Sequence, residues 1–299
     1  MNIRDLQYLV AVHDLNNFSK AAERCYVSQP TLSGQLKKLE EELGATLIER
    51  STRQVLFTQL GEKIVDQARQ LLATADNIRS LVSANDDPMA GEFHIGLTPT
   101  IGPYLLPLVM PSISDQFPQA KLYLYELQSD ALLKKLSRGE IDAAVVTKKN
   151  WSSPVREIEL FSESMRLAVS ALDKVEQLEN SVALSVLQDR LMLMLDDGHC
   201  LREHTLGICS QAGAREDTRF KATSMDTLLH MVANGVGMTL VPEIACQKEV
   251  EGVQFFEFEP PQPKRDVVML VRNNSARFET MKVFAKAIKN QVVQNEIYA

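Results

Sequence analysis

Phe18-Ser19-Lys20-Ala21-Ala22-Glu23-Arg24-Cys25-Tyr26-Val27-Ser28-Gln29-Pro30-Thr31-Leu32-Ser33 decides how the N-terminal part of this chain folds. Ser19 stands as the N-cap of a short helix from Lys20 to Tyr26 that turns Ala21, Ala22 and Cys25 inward. Val27 and Ser28 make the turn. Gln29-Pro30 then opens a second helix, where the missing proline N–H costs nothing because first-turn donors have no intrahelical acceptor. Leu32, Leu36 and Leu39 recur at helical spacing, the helix runs to Leu43, and Gly44 stops it. Two short helices across a tight turn form a helix-turn-helix. Upstream, Ile3, Leu6, Leu9, Val10 and Val12 form the stripe of an amphipathic helix over 3–14. Downstream, 47–50 and 54–57 are two brief strands joined through Ser51-Thr52-Arg53, which makes a wing.

From Leu60 the pattern becomes one long helix, with Leu60, Ile64, Ala68, Leu71, Ala75, Ile78 and Val82 spaced three or four residues apart. Such a stripe is a heptad seam. A helix between two domains has no other partner to pack on, so Leu60, Ile64, Leu71 and Ile78 are expected to hold a homodimer together. The polar run Asn85-Asp86-Asp87-Pro88 ends the linker. The predicted divisions are a winged helix-turn-helix domain over 1–58, a linker helix over 59–88 and a C-terminal domain over 89–299.

Residues 89–299 alternate strands and helices, a pattern that predicts a parallel sheet covered by helices. Strands are expected near 93–97, 121–127, 141–147, 165–169, 191–195, 220–223, 237–241 and 267–271, with a final helix over 276–293. A chain that builds one α/β half, crosses into a second and returns makes two lobes, 89–162 with 267–299, and 163–266. The cleft between such lobes is where small ligands bind.

The stretch Asp197-Gly198-His199-Cys200-Leu201-Arg202 with Cys209 carries the most reactive chemistry in the chain. A helix start after Gly198, with His199 and Arg202 beside Cys200, favours the thiolate over the thiol. A thiolate reacts with peroxide, and the sulfenic acid condenses with a second thiol, which Cys209 can supply. Nine residues of helix rise about 13.5 Å, whereas a disulfide needs Cα atoms roughly 4.4–6.8 Å apart. A helical segment must therefore refold locally before that bond closes. The opposing reading is that cysteine is often a small buried hydrophobe, as expected for Cys25 on a core face and for Cys246 after Ile244-Ala245.

Composition narrows the class. At 299 residues with 45% apolar content the chain should make two or three domains with proper cores. No secretory leader and no apolar run of about 18 residues is evident, which predicts no membrane partner and a cytoplasmic chain. Four cysteines are too few for a disulfide framework, and no cofactor or metal site is expected. The net charge of −7 opposes nucleic acid only superficially. Residues 1–60 hold seven basic and seven acidic side chains, and Lys20, Arg24, Lys37, Lys38, Arg50 and Arg53 surround the second helix of the helix-turn-helix. On that helix Gln29, Thr31, Ser33 and Gln35 are the polar residues of the half that meets base edges. Gln29, Pro30 and Ser33 share a face, with Lys37 beyond. Ser28 serves as cap, and Arg53 at the wing tip suits phosphate or minor-groove contact.

These motifs, with Ile95 to Pro107 and Ala222-Thr223-Ser224, resemble LysR-type transcriptional regulators over the whole chain, and within that family its peroxide-sensing members. The resemblance implies an α+β multidomain protein: an N-terminal winged helix-turn-helix, a long linker helix and a C-terminal two-lobed α/β sensor domain like a periplasmic binding protein. It implies Cys200 as peroxidatic and Cys209 as resolving cysteine. Thr100, Ser129 and His199 would line a peroxide pocket, with Arg202 and Arg265 as basic residues linked to it. The family usually has threonine where Ser129 stands; serine keeps the hydroxyl and loses a methyl. Implied partners are double-stranded promoter DNA, hydrogen peroxide, further copies of the chain in a homodimer or homotetramer, RNA polymerase and a cellular thiol reductant. Two other readings are a LysR-type regulator of a small metabolite bound in the cleft, and a thiol peroxidase, for which the helix-turn-helix would have no purpose.

Overall fold

The structure, a computed structural model, describes residues 1–50, 55–83, 87–151, 154–172 and 181–295. It divides into one unit of Met1–Asn85 with Ser137–Glu140, and a second of Asp86–Leu136 with Ile141–Ala299. Among the described residues no helix is long and apolar enough to cross a membrane.

The first unit contains α1 (Ile3–Leu15), α2 (Phe18–Arg24), α3 (Gln29–Leu43), β1 (Ile48–Arg50), β2 (Val55–Phe57) and α4 (Gln59–Ser83). Asn2 and Asp5 form a reciprocal capping box on α1. The expected cap at Ser19 is corrected: Asn17 caps α2, its side-chain oxygen accepting the Lys20 N–H at 3.0 Å. Asn17 is placed to reach the free donors one residue before Phe18 enters the helix. Ser28 caps α3, and Gly44 closes it in the left-handed conformation. Tyr26 makes the turn between α2 and α3 at φ 55°, an uncommon conformation for a side-chain-bearing residue. Leu9, Val12, Ala21, Leu32, Leu36, Leu39, Leu47 and Val65 meet in the core. Glu40 on α3 accepts the backbone N–H groups of Leu47 and Ile48, which fixes where β1 begins.

The linker helix is not solitary. Along its seam Ala68 is buried and Ile64 packs on the same core as α1, joined by Val65 and Leu72. Leu60, Leu71 and Ile78 stay exposed, Ile78 by 61%. The stripe thus splits between packing within the chain and a row of open apolar side chains.

The second unit runs β3 (Gly91–Leu97), α5 (Gly102–Gln116), β4 (Ala120–Glu126), α6 (Ser129–Ser137), β5 (Ala143–Thr147), β6 (Val155–Ser170), β7 (Ser181–Val182), β8 (Leu191–Leu195), α7 (Cys200–Gln211), β9 (Arg215–Ala222), α8 (Met225–Ala233), β10 (Thr239–Pro242), β11 (Val253–Phe258), β12 (Lys264–Arg272) and α9 (Phe278–Gln294). The expected all-parallel sheet is corrected to a mixed one. β4, β3 and β5 are parallel neighbours, but β12 lies antiparallel to both β5 and β6. β6 also pairs antiparallel with β10 and β11. The cause is the 16-residue β6, which leaves one core and enters the next, with β12 returning beside it. A strand that retraces its neighbour must run against it. β8 and β9 pair in parallel as a separate two-stranded sheet.

Three apolar cores follow among the described residues of this unit. Phe93, Ile101, Leu105, Met269 and Phe284 belong to one, Leu167, Leu193, Leu228 and Val241 to a second, and Leu132, Ile141, Val146 and Leu270 to a smaller third. β5 is buried at all five positions, as expected of a strand covered on both faces.

Gly61, in the first turn of α4, passes so close to the Leu47 backbone that an added Cβ would overlap its carbonyl oxygen. Backbone cannot rotate away as a side chain can. Gly61→Ala should lower stability by about 1–3 kcal/mol, measured as a fall in the urea midpoint of the full chain. Gly34→Ala, with open space at its Cβ, should instead raise it by about 0.5–1 kcal/mol. A Gly61→Ala midpoint equal to the parent's contradicts the close approach.

Candidate functional site

Four chain segments converge where parallel strands end, the position at which open α/β sheets carry their ligands. They are Thr98 to Ile101 after β3, Leu127 to Ser129 after β4, Thr147 to Lys149 after β5, and Asp196 to His199 after β8. Gly198 makes the last of these possible. Its φ is +90°, and a Cβ there would stand 2.6 Å from the Gln128 side-chain oxygen. Glycine answers both demands, because it accepts the left-handed conformation and lets the two loops close on each other.

Cys200 opens α7 and is buried to 7% exposure. Its Sγ lies against the Ser129 hydroxyl, a residue 71 positions away at the first turn of α6. Burial pushes the Cys200 thiol up from its ordinary value, and the Ser129 hydroxyl and the Lys149 ammonium pull it back partway. The expectation that His199 and Arg202 would favour the thiolate is therefore corrected. His199 is buried as the N-cap residue, without a capping side-chain bond, and burial pushes its imidazole toward the neutral form against the opposing pull of Asp196. Arg202 turns away from the thiol. Its guanidinium donates to Glu216 at 2.8 and 2.9 Å, to Asp197 at 3.0 Å and to the Leu195 carbonyl at 3.1 Å. It fastens α7 to β9.

Cys209 sits on the same helix, buried with Leu201 and Ile208 in the core around Leu193, and burial alone pushes its thiol up to about 11. Both cysteines are free thiols. Cys25 and Cys246 are half-buried and pack at the edges of apolar cores. Among the described residues no group of three His, Cys, Asp or Glu is placed to hold a metal ion.

Arg265 and Thr100 are both buried and meet each other. Arg265, 1% exposed, donates from Nε to Glu163 Oε1 at 2.8 Å and from Nη2 to the Thr100 carbonyl at 3.1 Å. Glu163 accepts the Ile244 N–H through its other oxygen at 2.7 Å. The ion pair thus ties the β3–α5 loop to β6, β12 and the short turn at Glu243–Gln247. Arg265 Nη1 has no acceptor among the described residues. Tyr104 on α5 donates to Asp226 in the first turn of α8 at 3.0 Å, and burial followed by Asp226 holds its hydroxyl protonated.

The site residues expected from the sequence are distributed as follows. Cys200 and Ser129 meet directly, with His199 buried beside Cys200 in the chain. Thr100 and Arg265 adjoin one another through the Thr100 carbonyl. Arg202 is committed elsewhere. Lys149, Glu163 and Tyr104 were not among the candidates. Lys149 had a weak signal, a cation at the C-terminal end of a strand; Glu163 and Tyr104 had none in a single sequence.

On α3, Ser28, Gln29, Pro30, Thr31 and Lys37 are exposed, and Ser33 and Gln35 are half-buried, while Leu32, Leu36 and Leu39 face inward. The Ser28 hydroxyl accepts the Thr31 N–H at 3.3 Å and meets its hydroxyl at 2.7 Å, so part of Thr31 is spent on capping. Lys37 lies 3.8 Å from Glu41. Arg50 ends β1, its side chain outside the described part; Arg53 lies outside the described residues. Tyr26, 95% exposed beside the α3 cap, was not singled out by the sequence.

A buried charge left alone is costly, by about 3–5 kcal/mol. Glu163→Gln should lower stability by about that amount in urea denaturation, whereas Glu163→Leu with Arg265→Met should recover most of the loss. Equal stability of the single variant and the parent contradicts the buried pair.

Comparison with known proteins follows the same division. Residues 3–62 match the bacterial regulatory helix-turn-helix protein, lysR family, and residues 86–292 match the LysR substrate binding domain. The chain is 46% identical over 277 residues to a hydrogen peroxide-inducible genes activator of Dickeya chrysanthemi, covering 92% of this chain and 90% of that protein. It is 43% identical over 291 residues to the DNA-binding transcriptional dual regulator OxyR of Escherichia coli K12, covering 97% and 95%. A solved full-length OxyR from Pseudomonas aeruginosa, carrying one cysteine-to-aspartate substitution, matches with a TM-score of 0.82 at 34% identity, covering 97% of this chain and 95% of that one.

Proposed function

Because the chain belongs to the LysR family of bacterial regulatory helix-turn-helix proteins, we propose that it is a peroxide-sensing transcription regulator switched by a reversible Cys200–Cys209 disulfide. The observation that carries this reading is the Cys200 thiol lodged against the Ser129 hydroxyl at the head of a helix that also holds Cys209. The likeness to a hydrogen peroxide-inducible genes activator supports it.

The chemistry balances with the two thiols as reductant. The Cys200 thiolate attacks one peroxide oxygen, an S–O bond forms, the O–O bond breaks, and the departing hydroxide takes a proton to leave as water. The Cys209 sulfur then attacks the sulfenic sulfur; an S–S bond forms and the second oxygen leaves as water. Two electrons have passed from two cysteines to one peroxide. Ser129 is suited to donate a hydrogen bond to the thiolate or to the peroxide, with His199 and the Thr100 segment closing the pocket. Arg265 acts at one remove by holding that segment in place. A thiol reductant in the cytoplasm restores the two thiols by thiol–disulfide exchange and leaves as its own disulfide.

Double-stranded promoter DNA is the partner of the first unit, read by the exposed face of α3 through Gln29, Pro30, Ser33 and Lys37, with Thr31 and Gln35 flanking, Ser28 as cap, and Arg50 and Arg53 on the wing. Leu60, Leu71 and Ile78, left open on α4, pair two copies, with Ile64 at the edge of the seam. Two dimers make a tetramer that meets RNA polymerase at the promoter. The domain division at 58 and 88, and the lobe division at 162 and 266, go with this reading.

Oxidation should change the length or phasing of the protected DNA, because subunit arrangement changes while each half-site contact stays the same. Footprints of full-length protein, reduced and peroxide-treated with free thiols counted, test this on a site selected with the same protein. Identical footprints from the fully reduced and fully disulfide-bonded forms refute it. Replacing Leu71 and Ile78 by Asp should dissociate the dimer, and an unchanged sedimenting mass rules out the seam.

A further inference from the structure

Lys149 follows the buried strand β5 and reaches two acidic residues on different elements. Its Nζ lies 3.5 Å from Glu203 Oε2 and 4.0 Å from Asp130 Oδ1. Asp130 is the residue after Ser129, and Glu203 is three residues beyond Cys200 on α7. The ammonium therefore joins the two helix starts whose side chains bring the Ser129 hydroxyl and the Cys200 sulfur together. Trp151 lies beside it, with the ammonium 5.1 Å from the ring centroid, a cation–π contact that helps hold the lysine in place.

The other charges nearby do not compete for this role. On α7 itself, Glu203 opposes the thiolate and His199 is held toward neutral. From α6, Ser129 offers a hydroxyl and Asp130 faces Lys149. Arg202 is engaged by Glu216 and Asp197. We infer that Lys149 is the cation that sets the reactivity of Cys200, and that its bridge from Asp130 to Glu203 holds α7 against α6 while the thiols are reduced. Lys149 is a positioning residue. Disulfide closure would unwind the first turns of α7 and carry Glu203 away, so the bridge also favours the reduced arrangement.

The inference rests on the reading of Cys200 as the reactive thiol, and its test separates the two. In full-length Cys209→Ser protein, the pH dependence of Cys200 alkylation by iodoacetamide is followed by mass spectrometry of the Cys200 peptide. Lys149→Ala should shift the midpoint to higher pH and slow alkylation at pH 7.5 by about three- to tenfold, the size of one partly screened charge on a neighbouring titration. Lys149→Arg should restore the parent profile. Glu203→Gln, which removes the opposing charge, should move the midpoint down. A Lys149→Ala profile that superimposes on the parent, with thermal melting unchanged, overturns the inference. So does a shift that Lys149→Arg fails to rescue. Hydrogen peroxide added to the same proteins gives the other arm. If Cys200 alkylates with the expected Lys149 dependence yet forms no sulfenic acid, the Lys149 assignment stands and the peroxide reading fails.

Discussion

The proposed switch depends on one geometric conflict: two cysteines placed nine residues apart on a single helix cannot bond while the helix is intact. Along α7 their Cα atoms stand about 13.5 Å apart, roughly twice the reach of a disulfide. A bond between them must unwind helix, move Cys200, Cys209 or both from their buried places and loosen what α7 holds. The two-electron oxidation supplies the driving force. In the proposed switch a reaction at one sulfur thereby becomes a change of shape.

The reduced arrangement is assembled from contacts that all end at the head of α7. Gly198 allows the loop from β8 to meet the loop from β4. Arg202 anchors the helix to β9, Lys149 reaches from β5 to Glu203, and Ser129 meets the sulfur itself. The Arg265–Glu163 pair fixes the Thr100 segment and joins β12 to β6, the strand that passes from one core into the next. Burial makes this pocket a poor place for a thiolate. The hydroxyl and the ammonium offset part of that penalty, and the thiol stays raised above its ordinary value.

The helix-turn-helix was legible in the sequence because its signals are local: a proline at a helix start, leucines at helical spacing and a terminal glycine. The strand and helix alternation of the second unit was legible for the same reason. The mixed sheet was not, since the length of β6 and the antiparallel return of β12 depend on pairing between distant segments. At the site, reactive cysteines could be named, but the cations could not be placed. Arg202 sits two residues from Cys200, yet Glu216 and Asp197 claim it; Lys149 is 51 positions away, yet its charge pulls the thiol toward the thiolate. Sequence adjacency misled because a helix sends neighbouring side chains to different faces. The apolar seam of α4 was visible as a stripe, but α1 covers part of it, and only packing could reveal which part.

Amide hydrogen exchange across α7 tests the central claim most directly, in reduced protein and in protein oxidised to a counted Cys200–Cys209 disulfide. The account predicts that amides from Leu201 to Gln211 lose protection on oxidation and regain it on reduction, while those of α9 change little. A fully formed disulfide with α7 protection equal to that of the reduced protein would contradict it.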